Sequence, residues 1–178
     1  MAALSDKPSS IFSIDFENGI LLQQNHVSVI FGHEHNRKPC PIEFIARKID
    51  DVWQSACSLN SSLWNGSKFR LQKSFWNCND KKLILSVGKT DYKSYIGTNC
   101  SEIRETLIEL GQSLHGHSQV FMSDSIGVGA LLLSSDNKIM LIRRSSRVGE
   151  HCGKLDLPGG HPEPEVRGII TIVFQYIS

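Results

Sequence analysis

The chain has 178 residues, 40% of them hydrophobic and 21% charged, which suits one compact domain or a small domain fused to part of another. With 19 basic against 18 acidic side chains the formal charge is +1, which excludes a whole-protein field that would draw nucleic acid or an anionic membrane. The cysteines Cys40, Cys57, Cys78, Cys100 and Cys152 are odd in number, widely spaced and without a C-x-x-C pair, which excludes a disulfide framework or zinc knuckle and points to free thiols in a reducing compartment.

Residues 1–10 lack both the basic start and the apolar run of a signal peptide, and no stretch reaches the roughly 18 apolar residues that span a bilayer. A soluble protein of the cytoplasm or nucleus is expected. Short β-like runs occur at 11–14 and 20–22, divided by a turn at Glu17-Asn18-Gly19, and residues 27–31 form a third. Residues 32–41 read as loop.

A helix begins near Ile42, because Ile45, Ile49, Val52, Ala56 and Leu59 recur at alternating steps of four and three and so share a face, widened by Phe44 and Trp53. It stops at Asn60-Ser61-Ser62, and Asn65-Gly66 signals a turn. Residues 68–76 alternate poorly but carry strand-like aromatics. Residues 83–87 are a clearer strand that could pair with either neighbour. Residues 88–98, with Tyr92 and Tyr95, read as a binding loop.

Asn99 and Glu102 have capping-box spacing, which predicts a second helix whose face is Ile103, Leu107, Leu110 and Leu114 and whose exit is Gly111. The pairs His33/His35 and His115/His117 lack a third ligand nearby and read as solvated turns. A boundary is expected within 119–126, dividing an α+β region, 1–118, from a second part, 119–178. There, 127–133, a turn at 134–137 and 138–142 make a hairpin whose near-continuous apolar strands are expected to be covered on both faces.

Chemistry concentrates after that hairpin. Arg143, Arg144 and Arg147 form the densest positive spot in the chain. Successive strand residues face opposite ways, so Arg143 and Arg144 serve one ligand only if the strand ends between them. Pro158-Gly159-Gly160 is a turn whose glycines permit positive φ and let backbone N–H groups approach an anion, while Pro162 and Pro164 keep the chain non-helical. Neither a P-loop nor a Rossmann glycine pattern is present.

Together, "GVGALLLSSDNKIMLIRRS" (127–145), "RVGEHCGKLD" (147–156) and "LPGGHPEPE" (157–165) resemble the Nudix hydrolase superfamily. With "NGSKFRL" (65–71), "DYKSYIGTN" (91–99) and "DSIGVGA" (124–130), the likeness is nearest to the eukaryotic branch that cleaves UDP-glucose and UDP-galactose. The resemblance implies an α/β fold with a mixed sheet flanked by helices, a nucleotide-sugar substrate and Mg²⁺ held by glutamates on a helix after the Gly-Gly loop. It places Arg143, Arg144, Gly159, Gly160, Tyr92 and Asn99 as substrate-binding residues. It implies no nucleic-acid or membrane partner.

The family pattern expects a glutamate at the position of Val166, with Glu165 one residue early, and an arginine and glutamate where Phe174 and Gln175 stand. No Arg-Glu-x-x-x-Glu-Glu occurs after Pro164, and residues 169–174 are β-branched and aromatic. Glu163 and Glu165 are the remaining metal candidates. The expectation is a chain that ends in a substitute tail without its catalytic helix: a hydrolase by family, inactive as it stands, or a uridine-nucleotide-binding or regulatory protein.

Overall fold

The computed structural model describes residues 24–165. The runs expected at 11–14 and 20–22, and the tail at 166–178, lie outside the described residues. A short 3₁₀ turn, Gln24–His26, leads into strand β1, Val27–Phe31. A second 3₁₀ turn, His33–His35, interrupts the expected loop.

Helix α1, Glu43–Leu59, starts where Ile42 takes an extended backbone. The predicted face holds in its middle, where Ile49 is buried and Ile45 packs beside it. It fails at the ends: Phe44 is exposed and Leu59 is 90% exposed. Periodicity names a face, but only a neighbouring element covers it.

Strand β2, Ser67–Asn77, and strand β3, Lys82–Asp91, pair antiparallel, with a register shift between Leu71 and Lys73. β3 also pairs parallel with β1, so both neighbours are its partners and the sheet order is β1-β3-β2. The poor alternation of β2 has a physical cause. Its inward positions near the start are Lys68 and Arg70, both buried, where a sequence reader looks for apolar residues.

The binding loop expected at 88–98 is instead the end of β3 and a short helix α2, Tyr92–Thr98. Asp91 caps it: Ser94 N donates to Asp91 Oδ1 at 2.8 Å and Ser94 Oγ to Oδ2 at 3.1 Å. Asp91→Ala is expected to lower stability by about 1 kcal/mol in a urea titration, the usual worth of such a cap.

Asn99 does not open the next helix but closes α2, its N–H donating to Tyr95 O. Helix α3, Arg104–His115, starts four residues later than expected, with Ile103 rather than Asn99 at its N-cap. It also runs past Gly111 to Gly116, whose φ of 65° ends it. A Cβ on Gly111 would lie 2.8 Å from Ser118 O and 2.9 Å from His117 O, so this glycine serves close packing rather than helix exit.

The core is Cys40, Ile49, Ile103, Leu107, Val120, Phe121 and Met122. The segment expected to link two parts therefore packs firmly: Val120, Phe121 and Met122 fill the space between helices. Residues 124–126 run beside β2, with Leu71 N donating to Asp124 O at 3.0 Å and Ile126 N to Phe69 O at 2.9 Å.

The turn at 134–137 forms as expected, with Ser134 N donating to Lys138 O at 2.9 Å and Met140 N to Leu132 O at 3.0 Å. The strands around it are short: β4, Val128–Gly129, and β5, Ile142–Arg143, pair with β7, Gly159–Gly160, and β6, Leu155–Asp156, respectively. Burial on both faces is overturned, since Leu131, Leu132, Leu133, Ile139, Met140, Leu141 and Ile142 are 39–63% exposed. The architecture is mixed α/β, a sheet flanked by helices. No helix among the described residues is long and apolar enough to cross a membrane.

Candidate functional site

The site is assembled where the hairpin's far end meets the first sheet. The Asp91 cap sets the start of α2, and with it Tyr92, whose ring meets Trp53 edge-on at 6.0 Å and stacks with Tyr95 at 6.3 Å. The Tyr92 hydroxyl donates to Glu150 Oε2. Gly149 makes this approach possible, because a Cβ there would lie 2.2 Å from the Tyr92 oxygen.

Glu150 Oε1 accepts from Arg144 Nη2 at 3.1 Å, and the backbone oxygen of Glu150 accepts from Arg144 Nε at 3.3 Å. The other arm of the fork, Nη1, reaches Asp156 Oδ2 at 2.8 Å. Across the cavity Lys68 Nζ contacts Glu163 Oε1 at 2.6 Å and lies 5.7 Å from the Trp64 ring and 5.9 Å from that of Tyr92. His161 closes the wall 5.9 Å from Tyr95. Trp64, Lys68, Tyr92, Arg144, Glu150, His161 and Glu163 line a cavity of about 330 Å³, to which Arg147 also contributes.

The electrostatics follow from packing. Burial, reinforced by Glu150, pushes the Tyr92 hydroxyl well above the ordinary tyrosine range, and burial beside Cys100 does the same to Tyr95. Both stay protonated, so Tyr92 is a fixed donor. Burial, with Lys68 and Arg144 nearby, holds His161 below the usual imidazole value, so at neutral pH it is an uncharged ring. The hydrogen bond to Asp156 raises Arg144 and lowers Asp156 in turn.

Two of the predicted residues, Tyr92 and Arg144, thus converge on one cavity. The structure does not bring the other four there. Arg143 turns the other way and donates to Gly153 O at 2.7 Å, as strand alternation demands. Gly159 and Gly160 lie in extended β7, without positive φ; a Cβ on Gly159 would sit 2.1 Å from Val128 O, so pairing with β4 explains that residue. Asn99 is engaged elsewhere: its Oδ1 accepts from Ser123 N at 3.0 Å and Asp124 N at 3.1 Å, and its Nδ2 donates to Asp124 Oδ1 at 2.9 Å.

Sequence reasoning missed Trp64, Lys68, Glu150 and His161. Lys68 and Trp64 sit in a stretch that reads as turn and irregular strand. Glu150 and His161 fall inside the motif segments but carry no spacing signal of their own.

A resident Mg²⁺ needs several oxygen donors around one point. Glu163 is turned to Lys68, and Glu165 faces Lys89 at 3.5 Å. Among the described residues no three potential ligands converge, and His117 Nδ1 instead accepts from Gln119 N at 3.1 Å. The described residues do not fit the ion. The cavity offers instead aromatic faces for a flat ring, cations for phosphate and the Glu163 carboxylate for hydroxyl groups.

No family model matches the chain. Individual proteins do. The chain is 33% identical over 146 residues to mouse (Mus musculus) uridine diphosphate glucose pyrophosphatase NUDT22, covering 81% of this chain and 47% of that protein. It is 36% identical over 154 residues to Nudix hydrolase 9 of Arabidopsis thaliana, covering 83% and 49%. The human (Homo sapiens) NUDT22 is 33% identical over 147 residues, covering 81% and 48%. The chain spans about half the length of these relatives. Over some four-fifths of its own residues, then, this chain is homologous to Nudix hydrolases.

Proposed function

We propose that the cavity seats a nucleoside diphosphate joined to a sugar, of the UDP-glucose or UDP-galactose class. The observation that carries this is convergence. Lys68 of "NGSKFRL", Tyr92 of "DYKSYIGTN", Arg144 of the hairpin and His161 of "GGHPEP" are distant in the chain and meet around one space. Trp64 and Tyr92 offer faces to the uracil ring, and Arg144 and Lys68 neutralise the diphosphate. The names of the mouse and human relatives point to the same ligand.

A polypeptide of these 178 residues binds this ligand without cutting it. Cleavage between two phosphates by the family route needs several carboxylates on one cation, and among the described residues no group of three potential ligands forms around Glu163 or Glu165. The division at 118/119, with binding shared between both parts, and a place in the cytoplasm or nucleus belong to the same reading.

Titrating UDP-glucose while following tryptophan fluorescence is expected to give saturable quenching through Trp64. Arg144→Ala is expected to weaken binding at least about tenfold, the scale of one charge-assisted phosphate contact. Chromatography of the same mixture with Mg²⁺ is expected to show UMP at the protein-free level. Release above that blank would overturn the non-catalytic reading; absence of saturable binding would overturn the ligand class.

A further inference from the structure

We infer that Glu150 is the internal anion of this cavity: its carboxylate sits on Arg144 where a phosphate would sit, and ligand binding exchanges one for the other. The inference rests on the cavity being a phosphate-ligand site and adds how that site is held when empty of ligand.

The geometry is that of a self-occupied anion seat. Arg144 and Glu150 side chains are only 23% and 15% exposed, so their contact is sheltered from solvent screening. Glu150 Oε1 takes the Nη2 arm of the guanidinium, while Nη1 is taken by Asp156. Glu150 lines the cavity and Asp156 does not. A second donor converges on the same carboxylate: the Tyr92 hydroxyl, half-buried and held protonated. An oxyanion between a guanidinium and a phenol is the arrangement a ligand phosphate would need, and here a side chain supplies it.

The loop that carries Glu150 is built to bring it there and to let it go. It leaves Arg144 and returns to Lys154, closed by Arg144 N donating to Lys154 O at 2.9 Å and Gly153 N to Arg144 O at 3.1 Å. Gly153, at φ 71°, makes the return turn. Because Glu150 belongs to this nine-residue excursion, 145–153, rather than to a strand, its carboxylate can withdraw without breaking the β5–β6 pairing next to Arg144. Ligand affinity is then reduced by the fraction of molecules in which the seat is already filled.

The test uses UDP as a charged probe and uridine as an uncharged one, by calorimetry on the full chain. Glu150→Gln keeps the shape and removes the charge. It is expected to tighten UDP by about tenfold and leave uridine unchanged. Asp156→Asn removes the other carboxylate on Arg144 from outside the cavity and is expected to change UDP affinity by less than about twofold. In the unmodified chain, the ¹³C carboxyl resonance assigned to Glu150 is expected to move on adding UDP and stay still on adding uridine. Equal tightening by both variants would mean a general field effect and would overturn the exchange. So would a Glu150 resonance indifferent to UDP, or UDP binding that Glu150→Gln leaves unchanged; in these cases the ligand class stands. Absence of UDP binding in the unmodified chain and every variant would remove the ligand class and the exchange together.

Discussion

Arg70→Ala is expected to destabilise the chain by about 4 kcal/mol, enough to leave much of it unfolded in mild urea. Arg70 is 1% exposed and no carboxylate forms an ion pair with it among the described residues. Its guanidinium is spent on backbone oxygens: Nε donates to Met122 O at 2.8 Å, Nη1 to His35 O at 2.7 Å and Nη2 to Gln119 O at 2.5 Å. One side chain therefore joins β2 to the turn after β1 and to the segment that follows α3. Truncation would leave three carbonyls without this donor and open a cavity in the same step. Asp124 would suffer too. Burial raises its carboxyl while Asn99 and Arg70 hold it down, and its Oδ2 already has no hydrogen-bond partner. Arg70→Lys is expected to recover less than half of the loss, because one ammonium cannot reach three carbonyls arranged around a planar fork. Full stability in Arg70→Ala, read from the urea midpoint, would show that these bonds are replaced by water.

The second large effect concerns association rather than folding. The hairpin presents Leu131, Leu133, Ile139, Met140 and Leu141 to solvent on a continuous stretch, which is unusual for an isolated soluble domain. The chain is expected to bind the dye ANS strongly and to sediment with a concentration-dependent mass. Replacing Leu131, Leu133 and Met140 together by lysine is expected to cut ANS fluorescence more than about threefold and yield a single monomeric species. The melting temperature is expected to change by less than about 3 °C, because side chains in water contribute little to folding. A large drop in melting temperature would mean that these residues are buried in the molecule in solution.

Segments of the chain differ in how far their sequences could be read. The middle of α1, strand β1 and the turn at 134–137 were legible, since each follows a local rule: a helical face, an apolar run, or polar turn residues between apolar runs. Asn99 shows where such rules mislead. Asn99 and Glu102 have the spacing of a helix start, yet α2 ends at Asn99 and its side chain is claimed by Ser123 and Asp124, more than 20 residues away. The expectation of a loop around Tyr92 gives way to a helix, because the cap that makes 92–98 helical is a single aspartate at the end of a strand.

The site was legible in outline through Arg144 and Tyr92. Their common partner was not. Glu150 is six residues from Arg144 and 58 from Tyr92, and no periodicity connects the three.

By itself the sequence determined the chemical inventory: the likeness to Nudix hydrolases, the cluster of arginines, and the lack of a glutamate-rich motif after Pro164. Those are properties of residue type and order along the chain. Only the tertiary structure decided which arginine faces the cavity, that Glu163 is held by Lys68, and that the apolar hairpin lies uncovered. The reason is physical: a charge is defined by its side chain, whereas its availability depends on which partner the fold brings within reach.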